Sequence, residues 1–196
     1  VDNCFIELDN IEIPIMDGSS ENWIELIENA GIIEQNSPRH FLKILEKVEF
    51  EQRDRKMSIE PSDKFEIECV IDFNHPFINK QSFHFELSNG SFGREIASAR
   101  TFGFTSEIKM LREANLALGG SLENAIVLTP EGMLNETPLR FKDEFVRHKA
   151  LDCVGDYFLA GGTLQGNVET LRPGHGINNK LLRALFADPS NYRIIE

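Results

Sequence analysis

The sequence predicts an α+β protein in which helices are layered on a mainly antiparallel sheet. Two observations point there. From Leu42 to Phe73 apolar and polar residues alternate as in strands, with turn-forming breaks and no helical segment between them. The helical periodicity is gathered instead in a few separate segments, so the regular strand-helix alternation of a doubly wound parallel sheet is missing.

The elements follow in order. "CFIELDNIEIPI" reads as a strand that Pro14 limits, and "MDGSS" turns it. "ENWIELIENAGI" repeats Trp23, Ile24, Ile27 and Ala30 at near-helical spacing, with Gly31 placed as a stop. The polar "EQNSP" at 34–38 is the best domain boundary. "LKILEKVEFEQ", "KMSIEP", "FEIECVIDF" and "SFHFEL" are strand-like. "FGREIASAR" and "SEIKMLREANLALG" are helical, and "NAIVLTPEGML" is strand, turn and strand. "DEFVRHKALDCVGDYFLAG" is the strongest helix; "GNVETLRPGHG" is a strand and loop, and "NNKLLRALFAD" a closing amphipathic helix.

Composition narrows the function. With 32 acidic against 20 basic residues, the net charge of -12 repels polyanions, so no nucleic-acid partner is expected. No stretch has the apolar length of a transmembrane segment. Cys4, Cys69 and Cys153 lie far apart without Cys-x-x-Cys spacing, which fits a reducing, cytoplasmic setting. The chain opens on Val1 in mid-strand, which reads as a piece of a longer protein.

On a helix, His148, Asp152 and Asp156 fall within an arc of roughly 80°, with Leu151, Val154 and Phe158 opposite as the core face. Two readings fit that spacing: half of a zinc site, or a solvated histidine bonded to an acid one turn on. His175 sits in the Pro/Gly loop "RPGHG", where a histidine near Asp156 would suit general acid work. Thr101 precedes an aromatic-glycine-aromatic turn, where its hydroxyl could donate to an oxyanion; Phe102 and Phe104 could line a pocket or cap the core. Phosphate-loop, dinucleotide and serine-hydrolase signatures are all missing. Cys153 reads as a small buried residue, and His40, His75 and His84 as structural.

Together "MDGS", "DFNHP", "ARTFGF", "LGGSLENAIV", "LRFKDEFVRHKALDCVGD" and "GHGINNKLL" resemble the zinc-dependent UDP-3-O-acyl-N-acetylglucosamine deacetylases of lipid A biosynthesis along nearly the whole chain. The resemblance implies two similar α+β domains packed face to face, residues 1–36 being the end of the first and 37–196 the second. It implies His148 and Asp152 as ligands of Zn2+, with Fe2+ as the alternative ion. It gives His175 the role of proton donor to the departing amine, Asp156 that of its supporting carboxylate, Thr101 that of an oxyanion donor, and Lys149 a place facing the substrate's polar part. Phe102, Glu107, Arg172 and Gly174 match positions around the nucleotide and sugar. Phe104, Ile108, Gly120, Ser121, Ala125 and Val127 match those along the acyl-chain passage. In the family a third ligand and a glutamate base come from a His-x-x-Glu-His-type motif upstream of the segment matching residue 1, and no such motif occurs here. Hydrolytic removal of acetate is therefore expected only with the missing part of the first domain in place. A non-catalytic UDP-sugar or acyl-chain binding fragment is the rival expectation.

Overall fold

The computed structural model describes residues 1–9, 12–114 and 118–196, with Lys109 described for its backbone alone. Its centre is a seven-stranded sheet built around one long strand, β9 (Thr163–Leu171). The other strands of this sheet are β1 (Phe41–Ile44), β2 (Val48–Gln52), β3 (Arg55–Pro61), β4 (Phe65–Asp72), β5 (Lys80–Glu86) and β10 (Tyr192–Ile195). β9 pairs antiparallel with β3, and parallel with β4 and, at its start, with β1. The hairpins β2-β3 and β4-β5 and the β1-β10 pair are antiparallel. The sheet is thus mixed, with its parallel pairs confined to β9. A small second sheet joins β6 (Phe102–Phe104) in parallel to β7 (Ile126–Thr129), which pairs antiparallel with β8 (Gly132–Met133).

Strand alternation sets which side chains meet the helices. Along β4, Phe65, Ile67, Cys69 and Ile71 are buried at every second position while the residues between them are not. Two helices lie on the sheet: α4 (Glu144–Phe158) against β4 and β5, and α5 (His175–Phe186) against β2 and β3, touching each other as well. Phe145, Cys153, Tyr157, Leu181 and Leu185 join Ile59, Ile67, Phe85 and Val168 in one core. The remaining helices are α1 (Glu21–Ala30), α2 (Ser91–Glu95) and α3 (Thr105–Glu113), and a 3-10 turn spans Pro189–Asn191.

The structure departs from the sequence reading in several places. The expected strand over residues 4–15 is not one: its described residues form no regular ladder, and Phe5, Ile6, Leu8, Ile13 and Ile15 are exposed. A strand needs a neighbour to take its backbone hydrogen bonds, and among the described residues none pairs with it. α1 forms with Gly31 as its stop, as expected, yet buries none of its residues. "FGREIASAR" yields only the short α2, and the helix expected over 106–119 is α3, which ends at Glu113 with Ala114 as its C-cap; residues 115–117 lie outside the described ones. "FGF", read as a turn, is strand β6, and β10 was not anticipated.

The face assignment of α4 also needs correction. Val154 is buried, but Leu151 is half-buried and Phe158 is 42% exposed, while Phe145, Val146, His148, Ala150 and Tyr157 are buried. The helix is covered on more than one side, by the sheet, by α5 and by the Phe102 ring on Phe145 and His148. A helix enclosed in this way does not divide into one wet and one dry face.

The "MDGS" turn is sewn to the strand that begins the small sheet. Ser20 N donates to Ala97 O at 2.9 Å and Thr101 N to Gly18 O at 2.8 Å. Gly18 has φ +84, and a Cβ there would lie 2.1 Å from the Asn124 carbonyl oxygen. No side chain fits, because backbone cannot withdraw as a flexible side chain can. Gly18→Ala is therefore expected to destabilise the chain by more than about 1 kcal/mol, combining positive-φ strain with the clash. An unchanged urea midpoint would refute this.

Candidate active site

The site is built on α4, and the start of that helix is tied to residues 99–101 by a buried ion pair. Glu144 is fully buried; its Oε1 accepts from Arg100 N at 3.0 Å and from Arg100 Nε at 2.9 Å. Its Oε2 accepts from Arg140 N at 2.6 Å and Arg100 Nη2 at 3.2 Å. Arg100 also donates to Thr137 Oγ1 and Pro138 O, so both charges are well supplied with partners. Arg140 continues the link to Asp17, at 2.6 Å. Cutting Glu144 back to Ala would strand a buried guanidinium, and a loss of about 3–5 kcal/mol is expected in denaturant unfolding.

That bracing sets the position of the Ala99 carbonyl, which accepts a 2.9 Å bond from His148 Nδ1. A carbonyl only accepts, so Nδ1 carries the proton and Nε2 keeps its lone pair. Nε2 lies 3.4 Å from Asp152 Oδ1, on the next turn. The other oxygen, Oδ2, accepts from Lys149 Nζ at 2.8 Å. Burial pushes the His148 pKa down, opposed by the charge of Asp152, so the ring is held neutral. Phe102 closes the side of this group: its ring centre lies 6.4 Å from that of His148, and Lys149 Nζ sits 5.4 Å from it.

One turn further along α4 is Asp156. His175 Nδ1 donates to both its oxygens, at 3.0 Å each. His175 is the first residue of α5 rather than part of a loop, because Gly174 O already accepts from Ile177 N and Asn178 N. Its side chain is 74% exposed, with Nε2 left on the outer side of the ring. A cleft of about 550 Å³ opens beside it, lined by residues including Arg53, Arg55, Gly174 and Lys180. Arg172, at φ 55, pairs with Asp54 and with Asp72, so its charge is already answered within the protein.

The other expected residues surround the small sheet. Thr101 is half-buried at its start, with Thr101 O accepting from Ile126 N at 2.8 Å. Phe104 stacks among Phe73, His75 and Phe102. It lines a second cleft of about 300 Å³ with Phe73, Asn74 and the first turn of α3. Ala125 and Val127 are half-buried at β7, Gly120 and Ser121 lie in an exposed turn before it, and Glu107 and Ile108 are on α3. His75 is structural, as expected: Nε2 donates to Thr129 O while Nδ1 accepts from Phe77 N. Cys153 is a buried free thiol, and a hydrogen bond with the Cys69 thiol together with burial raises its pKa, which leaves it no nucleophile.

The structure thus brings His148, Lys149, Asp152 and Phe102 together, and His175 with Asp156 one turn away. Sequence reasoning missed Asp17, Arg100, Arg140, Glu144 and Asn178, which brace these groups. Their type carries no chemistry alone; only the long-range pairings reveal them. As to a metal, a neutral imidazole with a free Nε2 and an adjacent carboxylate are suitable donors. They are two donors: among the described residues no three His, Cys, Asp or Glu side chains gather as a metal site.

The fold and site define an α+β protein in which His148, Asp152 and Asp156 line one stripe of α4, with His175 of α5 bonded to the last of them. Residues 1–187 match the family described as LpxC: UDP-3-O-acyl N-acetylglycosamine deacetylase. Among similar proteins, the UDP-3-O-acyl-N-acetylglucosamine deacetylase of Psychrobacter sp. (strain PRwf-1) is 46% identical over 197 residues, covering 100% of this chain and 66% of its own length. That of Xanthomonas axonopodis pv. citri (strain 306) is 48% identical over 190 residues, 96% of this chain and 63% of its own. That of Myxococcus xanthus (strain DK1622) is 46% identical over 195 residues, 100% of this chain and 62% of its own. The chain belongs to the UDP-3-O-acyl-N-acetylglucosamine deacetylase family, and spans 62–66% of the length of these relatives.

Proposed function

We propose that this chain carries the metal-holding and proton-donating part of a cytoplasmic enzyme that hydrolyses the acetamide of UDP-3-O-acyl-N-acetylglucosamine in lipid A biosynthesis. The observation that carries the reading is the single stripe of α4, where His148 presents Nε2 beside Asp152 and Asp156 holds His175 one turn on. His148 and Asp152 would hold Zn2+, or Fe2+, which the same donor types also suit. In such sites the ion contributes Lewis acidity toward a carbonyl and acidifies water. A third ligand and a base carboxylate would come from outside residues 1–196.

The remaining work falls to this chain's side chains. The Thr101 hydroxyl donates to the oxygen that gains charge when the acetamide carbon becomes tetrahedral. His175, protonated, delivers the Nε2 proton to the departing amine, and Asp156 stabilises the imidazolium beforehand. Lys149 faces the polar part of the sugar from beside Asp152. Arg53, Arg55 and Lys180 make the cleft beside His175 favourable to an anionic nucleotide despite a net charge of -12. Arg172, Gly174, Phe102 and Glu107 border the nucleotide and sugar, and Phe104, Ile108, Gly120, Ser121, Ala125 and Val127 the acyl chain. Among the described residues no helix is long and apolar enough to cross a membrane. The three cysteines are free, in keeping with a reducing compartment.

The test is acetate release from the UDP-sugar by a polypeptide of the relatives' full length that carries this chain, with metal content measured in parallel. Metal-dependent release supports the reading; release that persists after complete chelation overturns it. For the 196-residue chain alone, the two-donor set favours a second reading, binding without hydrolysis. Calorimetric binding of UDP by the 196-residue chain, together with no acetate release from UDP-3-O-acyl-N-acetylglucosamine, would establish it.

A further inference from the structure

Asn178 stands out on α5. The other inward residues of that helix, Ile177, Leu181, Leu182 and Leu185, are apolar, whereas Asn178 is an amide with 0% exposure. Its Nδ2 donates to Asp156 Oδ2 at 2.8 Å and reaches Cys153 Sγ at 3.5 Å. Its Oδ1 is buried and has no hydrogen-bond partner among the described residues. The reverse amide orientation would set Oδ1 against an ionised carboxylate, so the observed one is imposed by Asp156. A buried acceptor left unpaired is unfavourable, and a leucine of similar size would pack there without that penalty. Packing does not explain an asparagine at this position; the bond to Asp156 does.

His175 and Asn178 are three residues apart and share a face of α5, so both reach the same carboxylate. With Oδ2 engaged by the Asn178 amide, the carboxylate is tied down in the orientation that accepts from His175 Nδ1. We propose that Asn178 is a positioning residue: it locks the Asp156 carboxylate so that the His175 ring is held with Nε2 facing the leaving group. This rests on the reading of His175 as proton donor.

The experiment compares Asn178→Leu, Asn178→Ala and His175→Ala with the parent in the full-length polypeptide of the acetate-release assay. For Asn178→Leu we expect kcat to fall about 10–100-fold, the size of effect seen when an orienting partner is removed, with KM unchanged. The thermal midpoint should hold or rise, since the orphan acceptor is gone. In 15N-histidine spectra the His175 Nδ1–H signal should weaken through faster exchange with water. Asn178→Ala removes the same donor and should show the same kinetic split should the Leu variant fail to fold. Parental kcat with an unchanged Nδ1–H signal overturns the proposal, as does a lower midpoint with a lower kcat and a higher KM while that signal stays intact, which marks a packing role. If His175→Ala retains turnover, the proton-donor reading fails, and the Nδ1–H signal alone decides whether Asn178 holds the pair. If His175→Ala is inactive and Asn178→Leu is fully active, only the present inference fails.

Discussion

His148→Ala, in the polypeptide used for acetate release, is expected to abolish both metal retention and turnover. The imidazole is the neutral one of the two donors this chain offers, and its Nε2 is the nitrogen left free once Nδ1–H is committed to the Ala99 carbonyl. Asp152 alone, with Lys149 drawing on its other oxygen, makes a poor residual site. Disturbing a residue that merely orients a metal ligand already costs about 10–100-fold in affinity or activity, so deleting the ligand should exceed that range. The fold should survive: the change leaves Ala99 O without its donor, worth about 1–3 kcal/mol, while the Arg100-Glu144 pair still braces the helix start. Metal analysis after gel filtration, together with denaturant unfolding, separates the two effects. Stoichiometric metal and normal turnover in a folded His148→Ala protein would end the assignment of His148 as a ligand.

The second large effect is expected from His175→Ala. A positioned general acid typically contributes about 10²–10⁴-fold, and the loss should appear in kcat rather than KM because the proton is needed only as the C–N bond breaks. Stability should scarcely change, since the side chain is 74% exposed and hydrogen-bonds to Asp156 from the protein surface. Asp156→Asn should have a smaller kinetic effect but a larger structural one, because that carboxylate also receives the buried Asn178 amide. Unaltered single-turnover kinetics in His175→Ala would remove it from the reaction.

Much of the framework was legible from periodicity. Strands β3, β4 and β5, the β7-β8 turn and helices α4 and α5 emerged from alternation and helical spacing. Near-helical spacing placed His148, Asp152 and Asp156 on one line of α4, which the Asp152 and His175 contacts of the structure match. What periodicity missed shares one cause. The segment over residues 4–15 has strand composition but no partner strand among the described residues, β6 and β10 are too short to show a pattern, and α4 is enclosed on several sides, so Phe158 is exposed where helical spacing puts it on the core face, while Leu151 does pack against the core. Each depends on what lies across from the residue in space, which local spacing does not encode.

The sequence by itself determined which side chains could share the α4 stripe, because helix geometry is local and 148, 152 and 156 follow from it. Only the tertiary structure decided what those side chains can do. The His148 tautomer depends on a carbonyl 49 residues away in sequence, the His175 ring is aimed by an aspartate 19 residues before it, and Asp156 is held by an amide on another helix. Hydrogen-bond partners that are distant in the chain meet only when the core has closed, so the chemistry of these groups is a property of the packed molecule.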